Sequence, residues 1–321
     1  MSITTKIYGG LKNEQRRTAF VLSGGGARGS YQGGVLKAAI EYGFFPEIIT
    51  GTSIGAMNGA AFIQGITDYM EDLWHNISFE MLFGNVQHKN HENLRKSDNK
   101  IDDLGPVTKF MLQWMWLQHC SKKDKNGRLR ALGKSIGYPI EGLNQIVREK
   151  FDEKKIRESN IEFALNSTKV FHHGKGLTGL QREILTKEEI PEGLLGEFLL
   201  ASSTFFPLFE LKEINKHLYV DGGISNNIPY EPAIAKGAND LIVVQIDGEL
   251  LPQNAFRNYR LLSKSNDLRV MTLKAPSNIG SIKCFKSELT QIGFKAGYEE
   301  GCHFFDEYRK MVNFEDKTRR L

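Results

Sequence analysis

Residues 48–59 of the chain read IITGTSIGAMNG, and this stretch decides the fold. The segment Phe45 to Thr50 predicts a short strand, and the small residues from Ala56 to Gly65 predict a helix packed closely against a sheet. Between them, Gly51-Thr52-Ser53-Ile54-Gly55 fits the Gly-x-Ser-x-Gly elbow, in which a sharp strand-to-helix turn lifts the serine hydroxyl clear of the sheet. Ser53 is therefore a candidate nucleophile. The alternative is a serine that caps a helix N-terminus in a glycine-rich turn.

A second glycine-rich segment, SGGGARG at residues 23–29, follows the apolar run Thr18 to Leu22 and precedes a helical pattern from Tyr31 to Tyr42. At such a junction, glycines let successive backbone N–H groups point outward, and the helix N-terminus adds partial positive charge. A serine nucleophile needs donors of this kind for the oxyanion that forms when it attacks a carbonyl carbon. We therefore expect an oxyanion hole built from Gly24, Gly25, Gly26, Ala27, Arg28 and Gly29.

The same loop also satisfies Gly-x-Gly-x-x-Gly through Gly24, Gly26 and Gly29, which is the spacing of a dinucleotide-binding turn. That alternative needs an acidic residue at the end of the second strand to hold the ribose. The strand ends instead at Thr50 and runs into the serine elbow, while Glu47 stands at its start. A tight turn that only packs a helix against the sheet is the other alternative for these glycines.

Asp221-Gly222-Gly223 follows the apolar strand candidate Leu218 to Val220. This places a carboxylate at the C-terminal end of a strand, where the active sites of open α/β sheets gather. A serine hydroxyl is a poor nucleophile at neutral pH and needs a base to take its proton. Asp221 is a candidate for that base, although Asp-Gly by itself is chiefly a turn signal.

The three motifs, in this order, resemble the patatin-like phospholipases, whose pattern is a Gly-Gly-Gly-x-Arg-Gly loop, a Gly-x-Ser-x-Gly elbow and a distant Asp-Gly-Gly or Asp-Gly-Ala. The segment Ala201-Ser202-Ser203-Thr204-Phe205-Phe206-Pro207 also looks like the family. The resemblance covers roughly residues 18–246 and implies a patatin-like three-layer α/β fold, with a central mostly parallel sheet flanked by helices. The site residues that it implies are Ser53 as the acyl-accepting nucleophile, Asp221 as its partner in a Ser–Asp dyad, the amides of Gly25, Gly26 and their neighbours as the oxyanion hole, and Arg28, which would orient the loop or meet a phosphate.

A dyad has a physical difficulty, because a solvated aspartate with a pKa of about 3.9 is a weak base toward an alcohol. Burial would raise the pKa of Asp221 toward neutrality and make it a better base. The competing hydrolase site is a Ser-His-Asp triad, whose chain order in α/β-hydrolases requires a histidine after the acid. Only His303 follows Asp221 or Asp247, and it lies in a predicted C-terminal helix, where a packed or partly exposed histidine is the commoner outcome.

Strand and helix patterns alternate along the rest of the chain, which is typical of a sheet covered on both faces. The clearest strand is Leu241 to Ile246, whose unbroken apolar composition predicts a parallel core strand. Residues from about 79 to 135 depart from this alternation, and we expect a helical insertion there that covers the catalytic face. The sequence thus predicts a single catalytic domain over residues 1–321, with that insertion and a C-terminal helical extension from about residue 285.

Composition excludes several classes of protein. The 321 residues are 40% hydrophobic with a net charge of +4, which argues against a disordered chain and against a concentrated basic face for nucleic acid. Cys120, Cys284 and Cys302 form no Cys-x-x-Cys pair, so we expect reduced thiols and a cytoplasmic setting. No apolar run suggests a signal peptide or a transmembrane segment. The histidines lack metal-ligand spacing, and we expect neither a metal nor a cofactor.

Lipid substrates require contact with a bilayer or micelle. The aromatic and Met-rich run Phe110 to Leu117 fits an interfacial or acyl-chain-lining segment, and it fits a buried core helix equally well. The basic residues 122–128 fit an anionic headgroup site or a solvated loop. The sequence predicts a serine acyl hydrolase of the phospholipase A or lysophospholipase type, in peripheral contact with membranes. A non-catalytic lipid-binding or regulatory protein on the same fold is the alternative, and an intact Ser53 with Asp221 argues against it.

Overall fold

The computed structural model describes residues 3–11, 15–78, 81–82, 121–123, 129–131, 141–173, 177–205, 209, 211–282 and 284–319. The insertion predicted at about residues 79–135 lies largely outside this part of the chain, as does the whole of the run from Phe110 to Leu117. Within the insertion, the short strands Ser121–Lys123 and Leu129–Ala131 form an antiparallel pair.

Helices and strands alternate along the chain. The helices are α1 Gly29–Glu41, α2 Ile54–Gln64, α3 Thr67–Asn76, α4 Glu141–Lys150, α5 Glu153–Glu158, α6 Leu195–Ser202, α7 Tyr230–Ala235, α8 Pro252–Lys264 and α9 Ser287–Arg319. The strands are β1 Ile3–Tyr8, β2 Thr18–Leu22, β3 Ile48–Thr52, β4 Ser121–Lys123, β5 Leu129–Ala131, β6 Glu162–His173, β7 Leu177–Thr186, β8 Lys212–Ile214, β9 His217–Val220, β10 Asp240–Gln245 and β11 Leu268–Lys274.

Nine of the described strands form one sheet, in the order β1-β11-β10-β2-β3-β6-β9-β8, with β7 also paired to β6. The central run from β11 to β6 is parallel throughout. The antiparallel pairings lie toward the two edges, where β1 joins β11 and where β7 and β9 join β6. The predicted α/β fold with a central mostly parallel sheet is confirmed.

Successive residues of β10 point into two different cores, so the sheet is the middle of three layers. Ile242 and Val244 belong to the core that contains residues of α1 and α9. Leu241 and Val243 belong to a second core with residues of α7 and α8. Because both faces of this strand are buried, its sequence is apolar at every position from Leu241 to Val244.

Two strands end against each other on one edge of β6. β3 runs parallel to the first half of β6 and ends with Thr52 opposite Asn166. β9 runs antiparallel to a later stretch and ends with Val220 opposite Thr168. Both must lie on the same edge, because β7 occupies the other edge along both stretches. The carboxyl ends of β3 and β9 are therefore separated by one register position, that of the buried Ser167.

The long helix α9 crosses α1 at very short range. A Cβ atom at Gly297 would lie 2.0 Å from the backbone oxygen of Tyr31, and one at Gly34 would lie 2.0 Å from that of Phe294. The Tyr31 hydroxyl donates a buried hydrogen bond of 2.6 Å to Glu300 across the same interface. Since α1 begins directly after the glycine loop, α9 packs against the helix that supports this loop.

We expect Gly297→Ala to destabilise the protein by at least about 2 kcal/mol, because the added methyl group overlaps a backbone atom that cannot rotate away. Thermal unfolding followed by circular dichroism measures this loss. Gly10→Ala is the matched control, since a Cβ there meets no atom within 4 Å. An unchanged melting temperature for Gly297→Ala would show that the two helices separate at little cost.

Candidate active site

Ser53 stands at the turn between β3 and α2 in a strained backbone conformation. Its φ of 55° and ψ of −129° lie in a region that non-glycine residues seldom adopt, at a cost of order 1–3 kcal/mol. The turn brings α2 hard against β2, so that a Cβ at Gly55 would lie 2.4 Å from the backbone oxygen of Leu22. A Cβ at Gly51 would likewise overlap the backbone of Ala56. This is the geometry that the elbow motif predicts.

The Ser53 hydroxyl donates a hydrogen bond of 2.6 Å to Oδ2 of Asp221, 168 positions later in the chain. Both residues are buried, with 8% and 3% of their surfaces exposed. The other carboxylate oxygen of Asp221 accepts from the backbone N–H of Gly223 at 2.7 Å. Burial raises the pKa of Asp221 to about 7, although the hydrogen bonds from Ser53 and Gly223 act in the opposite direction. The two residues that the motifs single out thus lie in direct contact.

Hydroxyl groups on α6 and β6, together with a backbone carbonyl in the loop after α6, hold this pair in place. Ser202 Oγ accepts the N–H of Ser53 at 2.8 Å and donates to the backbone oxygen of Asn166 at 2.6 Å. Thr168 donates its hydroxyl to the Asp221 carbonyl at 3.0 Å. The Asp221 N–H donates to the Thr204 carbonyl at 2.9 Å. The sequence singled out the segment around Ser202 and Thr204, but assigned neither residue a role.

The glycine loop lies directly beside Ser53, since a Cβ at Gly24 would be 3.1 Å from Ser53 Cβ. Of the six expected oxyanion residues, Gly24, Ala27, Arg28 and Gly29 donate their N–H groups to backbone carbonyls. Within the described part of the chain, the amides of Gly25 and Gly26 donate no hydrogen bond. Gly26 has a φ of 53°, which a glycine adopts without strain. The structure therefore leaves these two amides available to an incoming oxygen.

Arg28 is directed away from the pair. Its guanidinium donates to the backbone oxygens of Ala275 and Pro276, at 3.3 and 3.0 Å. These bonds tie the loop to the chain that follows β11. The contacts fit an arginine that orients the loop, which was one of its expected roles.

The histidine of the competing triad lies elsewhere. His303 is an exposed residue of α9. Among the described residues, no histidine hydrogen-bonds to Ser53 or Asp221. Asp247 lies in a bend after β10 and accepts the N–H of Gly248. Within the described residues, no three His, Cys, Asp or Glu side chains lie close enough together to hold a metal ion. No helix in that part of the chain is both long and apolar enough to cross a bilayer.

The fold and the site together define an α/β protein with a buried serine–aspartate pair beside a glycine loop. The sequence model of the patatin-like phospholipase family matches residues 20–234, more than half of the chain. The chain therefore belongs to the patatin-like phospholipase family.

Several relatives align over about 70% of the chain. Patatin-like phospholipase domain-containing protein 7 of Rattus norvegicus is 25% identical over 239 residues, or 71% of this chain. The lysophospholipase NTE1 of Cryptococcus neoformans is 25% identical over 232 residues, or 72% of this chain. The match spans only 13% and 11% of the length of these two relatives. VipD of Legionella pneumophila aligns with a TM-score of 0.49 at 12% identity, over 92% of this chain and 67% of its own.

We expect Asp221→Asn to be more stable than the wild type above neutral pH. The folded protein keeps a proton on Asp221 up to a pH of about 7, whereas the unfolded chain releases it near 3.8. The wild type therefore loses stability as the pH rises through that window, and asparagine removes the loss. Melting temperatures measured from pH 4 to 8 should show that the difference between the variant and the wild type widens with pH. The corresponding difference in the free energy of unfolding should reach on the order of a few kcal/mol.

Glu162→Gln is the control of opposite sign. Burial raises the pKa of Glu162, but hydrogen bonds from Lys236 and Arg17 outweigh it and lower that pKa below 4.5. Glutamine at this position should therefore cost stability above pH 4.5 and cost less as the pH falls below it. A gap between Asp221→Asn and the wild type that stays constant with pH would contradict a raised pKa for Asp221.

Proposed function

We propose that the chain is a serine acyl hydrolase that cleaves the ester bonds of phospholipids or lysophospholipids. The observation that carries the proposal is the buried hydrogen bond between Ser53 and Asp221. A buried carboxylate with a pKa near 7 is matched to general-base work at neutral pH. The loop beside it offers two amides to a developing oxyanion.

In the first half of the reaction, Ser53 Oγ attacks the carbonyl carbon of the ester while its proton passes to Asp221. The carbonyl oxygen becomes an oxyanion that accepts hydrogen bonds from the amides of Gly25 and Gly26. Collapse of this intermediate breaks the ester bond, and the departing alkoxide takes the proton back from Asp221. The products are a free alcohol and an acyl group esterified to Ser53.

In the second half, a water molecule attacks the acyl carbonyl and gives its proton to Asp221. The same amides stabilise the second oxyanion, and the proton returns to Ser53 as the carboxylic acid leaves. One group thus serves as base and then as acid in each half, which requires a pKa close to the working pH.

The substrate class rests on family membership. The relatives that match this chain are named as a phospholipase-domain protein and a lysophospholipase. Because their acyl substrates are amphiphiles, we place the activity at the surface of a membrane or micelle. A non-catalytic lipid-binding protein on this fold would have no need of the strained Ser53 or the buried Asp221.

We expect a fluorophosphonate probe to label the wild-type protein, because the probe reacts only with an activated serine hydroxyl. Ser53→Ala should abolish labelling, as shown by fluorescence in a denaturing gel and by mass spectrometry of the labelled peptide. His303→Ala is the control that separates a dyad from a triad, and it should label at the wild-type rate. Absence of label on the wild type, together with no release of fatty acid from a lipid panel, would favour a binding protein.

The pH dependence of kcat/KM should follow the ionisation of Asp221. Since the base must be unprotonated, activity should fall tenfold per pH unit on the acid side of about pH 7. Asp221→Asn should lower kcat by at least about a thousandfold while the fold stays intact by circular dichroism. A rate that stays level down to pH 5, or near-normal turnover by Asp221→Asn, would refute the assignment of the base.

A further inference from the structure

Asn227, six residues after Asp221, clamps the first glycine of the oxyanion loop. Its backbone oxygen accepts the N–H of Gly24 at 3.2 Å, and its side-chain amide donates to the Gly24 carbonyl at 3.2 Å. A Cβ at Gly24 would lie 2.5 Å from Asn227 Oδ1 and 3.1 Å from Ser53 Cβ. Gly24 therefore bonds Asn227 through both its N–H and its carbonyl and lies beside the nucleophile, so a shift of Asn227 would be passed to the loop.

Asn227 is in turn held by a carboxylate on the loop that follows β10. Glu249 accepts the N–H of Asn227 on one oxygen, at 2.9 Å. Its other oxygen accepts the N–H of Ile228 at 2.9 Å and the side-chain amide of Asn258 at 2.7 Å. Burial raises the pKa of Glu249, and these three donors act to lower it. The side chain is thus a partly buried carboxyl group bonded to two successive backbone amides.

We propose that Glu249 is a positioning residue for the oxyanion hole, which acts through Asn227 to fix the amides of Gly25 and Gly26 relative to Ser53. The inference rests on the proposed acyl hydrolase function and deepens it. Within the segment after the base, Glu249 bonds Asn227 and Ile228, so its effect falls on the oxyanion donors, while Thr168 and the strand register hold Asp221.

A carboxylate suits this place because two adjacent N–H groups converge on it. Each oxygen of Glu249 accepts one of them, in the way that a bound anion accepts the successive N–H groups of a backbone turn. A glutamine has one acceptor oxygen, and its amide group would face the N–H of Asn227 donor to donor. Glu249→Gln therefore keeps the side-chain volume but breaks the bond that reaches the glycine loop.

The displacement needed for a large effect on rate is small. Oxyanion donors act only when they lie within hydrogen-bond reach of the position that the charged oxygen takes, and a misplacement of about 1 Å costs about a hundredfold in rate. Binding of the ground-state ester depends much less on those donors. A shift of the loop should therefore lower kcat and leave KM nearly unchanged.

The experiment compares Glu249→Gln with the wild type on a soluble p-nitrophenyl ester. We expect kcat to fall about tenfold to a hundredfold with KM within about twofold. Inhibition by a trifluoromethyl ketone, which forms a tetrahedral adduct with serine, should weaken by the same factor. The control is Glu162→Gln, which removes another partly exposed carboxylate. Glu162 forms ion pairs with Lys236 and Arg17 at the other end of the sheet, so this substitution should leave kcat unchanged.

A double variant tests the route through Asn227. Glu249 and the N–H of Gly24 both bond the backbone of Asn227, which Asn227→Ala retains, whereas the side-chain bond to the Gly24 carbonyl is lost. If Glu249 acts through Asn227, the two single variants loosen the same loop, so their losses in kcat should combine to less than their sum. Fully additive losses would overturn that route. Loss of stability in Glu249→Gln with unchanged kcat and unchanged inhibition would overturn the proposal as a whole.

Hydrogen exchange provides a readout that does not depend on turnover. In Glu249→Gln, the amides of residues 23–29 should exchange faster than in the wild type, while in Glu162→Gln they should not. Unchanged exchange over residues 23–29 would overturn the proposal even if the wild type is inactive on every ester. An inert wild type whose loop does loosen in Glu249→Gln would refute the acyl hydrolase function while supporting the positioning role.

Discussion

The head-to-head ending of β3 and β9 on one edge of β6 is the constraint on which the site depends. Ser53 and Asp221 are the first residues beyond those two strands, and β6 sets the distance between them. Since β7 and β3 hold β6 on its two sides, the pair is fixed by the hydrogen-bond register of the sheet rather than by flexible loops. A shift of register by one residue in either strand would separate the two oxygens by several ångströms.

The site contains two energetically unfavourable features next to each other. Ser53 adopts a strained backbone conformation, and Asp221 is a carboxyl group largely removed from water. The cores on both faces of the sheet supply the stability that offsets them, because the central strands are almost fully buried. Polar contacts from Ser202 and Thr168 then limit how the strained pair can relax.

The serine elbow and the glycine loop could be predicted from the sequence because each imposes a local backbone requirement on particular residues, as at Gly55 and Gly26. Strand β11 was not foreseen, since Arg269 interrupts its apolar pattern. That arginine is only 2% exposed and pairs with Asp240 of the neighbouring strand, which is a contact that periodicity does not reveal. Ser202 and Glu249 make their contacts with distant segments of the chain, so the spacing of residues along the sequence does not predict these contacts.

The crossing of α1 and α9 has a consequence for how this chain tolerates change in length. Tyr31 and Glu300 meet although 269 positions separate them, and most strands of the sheet lie between them along the chain. The entropy of closing a flexible loop grows only with the logarithm of its length, at about 0.6 kcal/mol for each doubling. Residues added to the surface loops between those strands would therefore cost little closure entropy, provided that the strands and the crossing of the two helices stay in place.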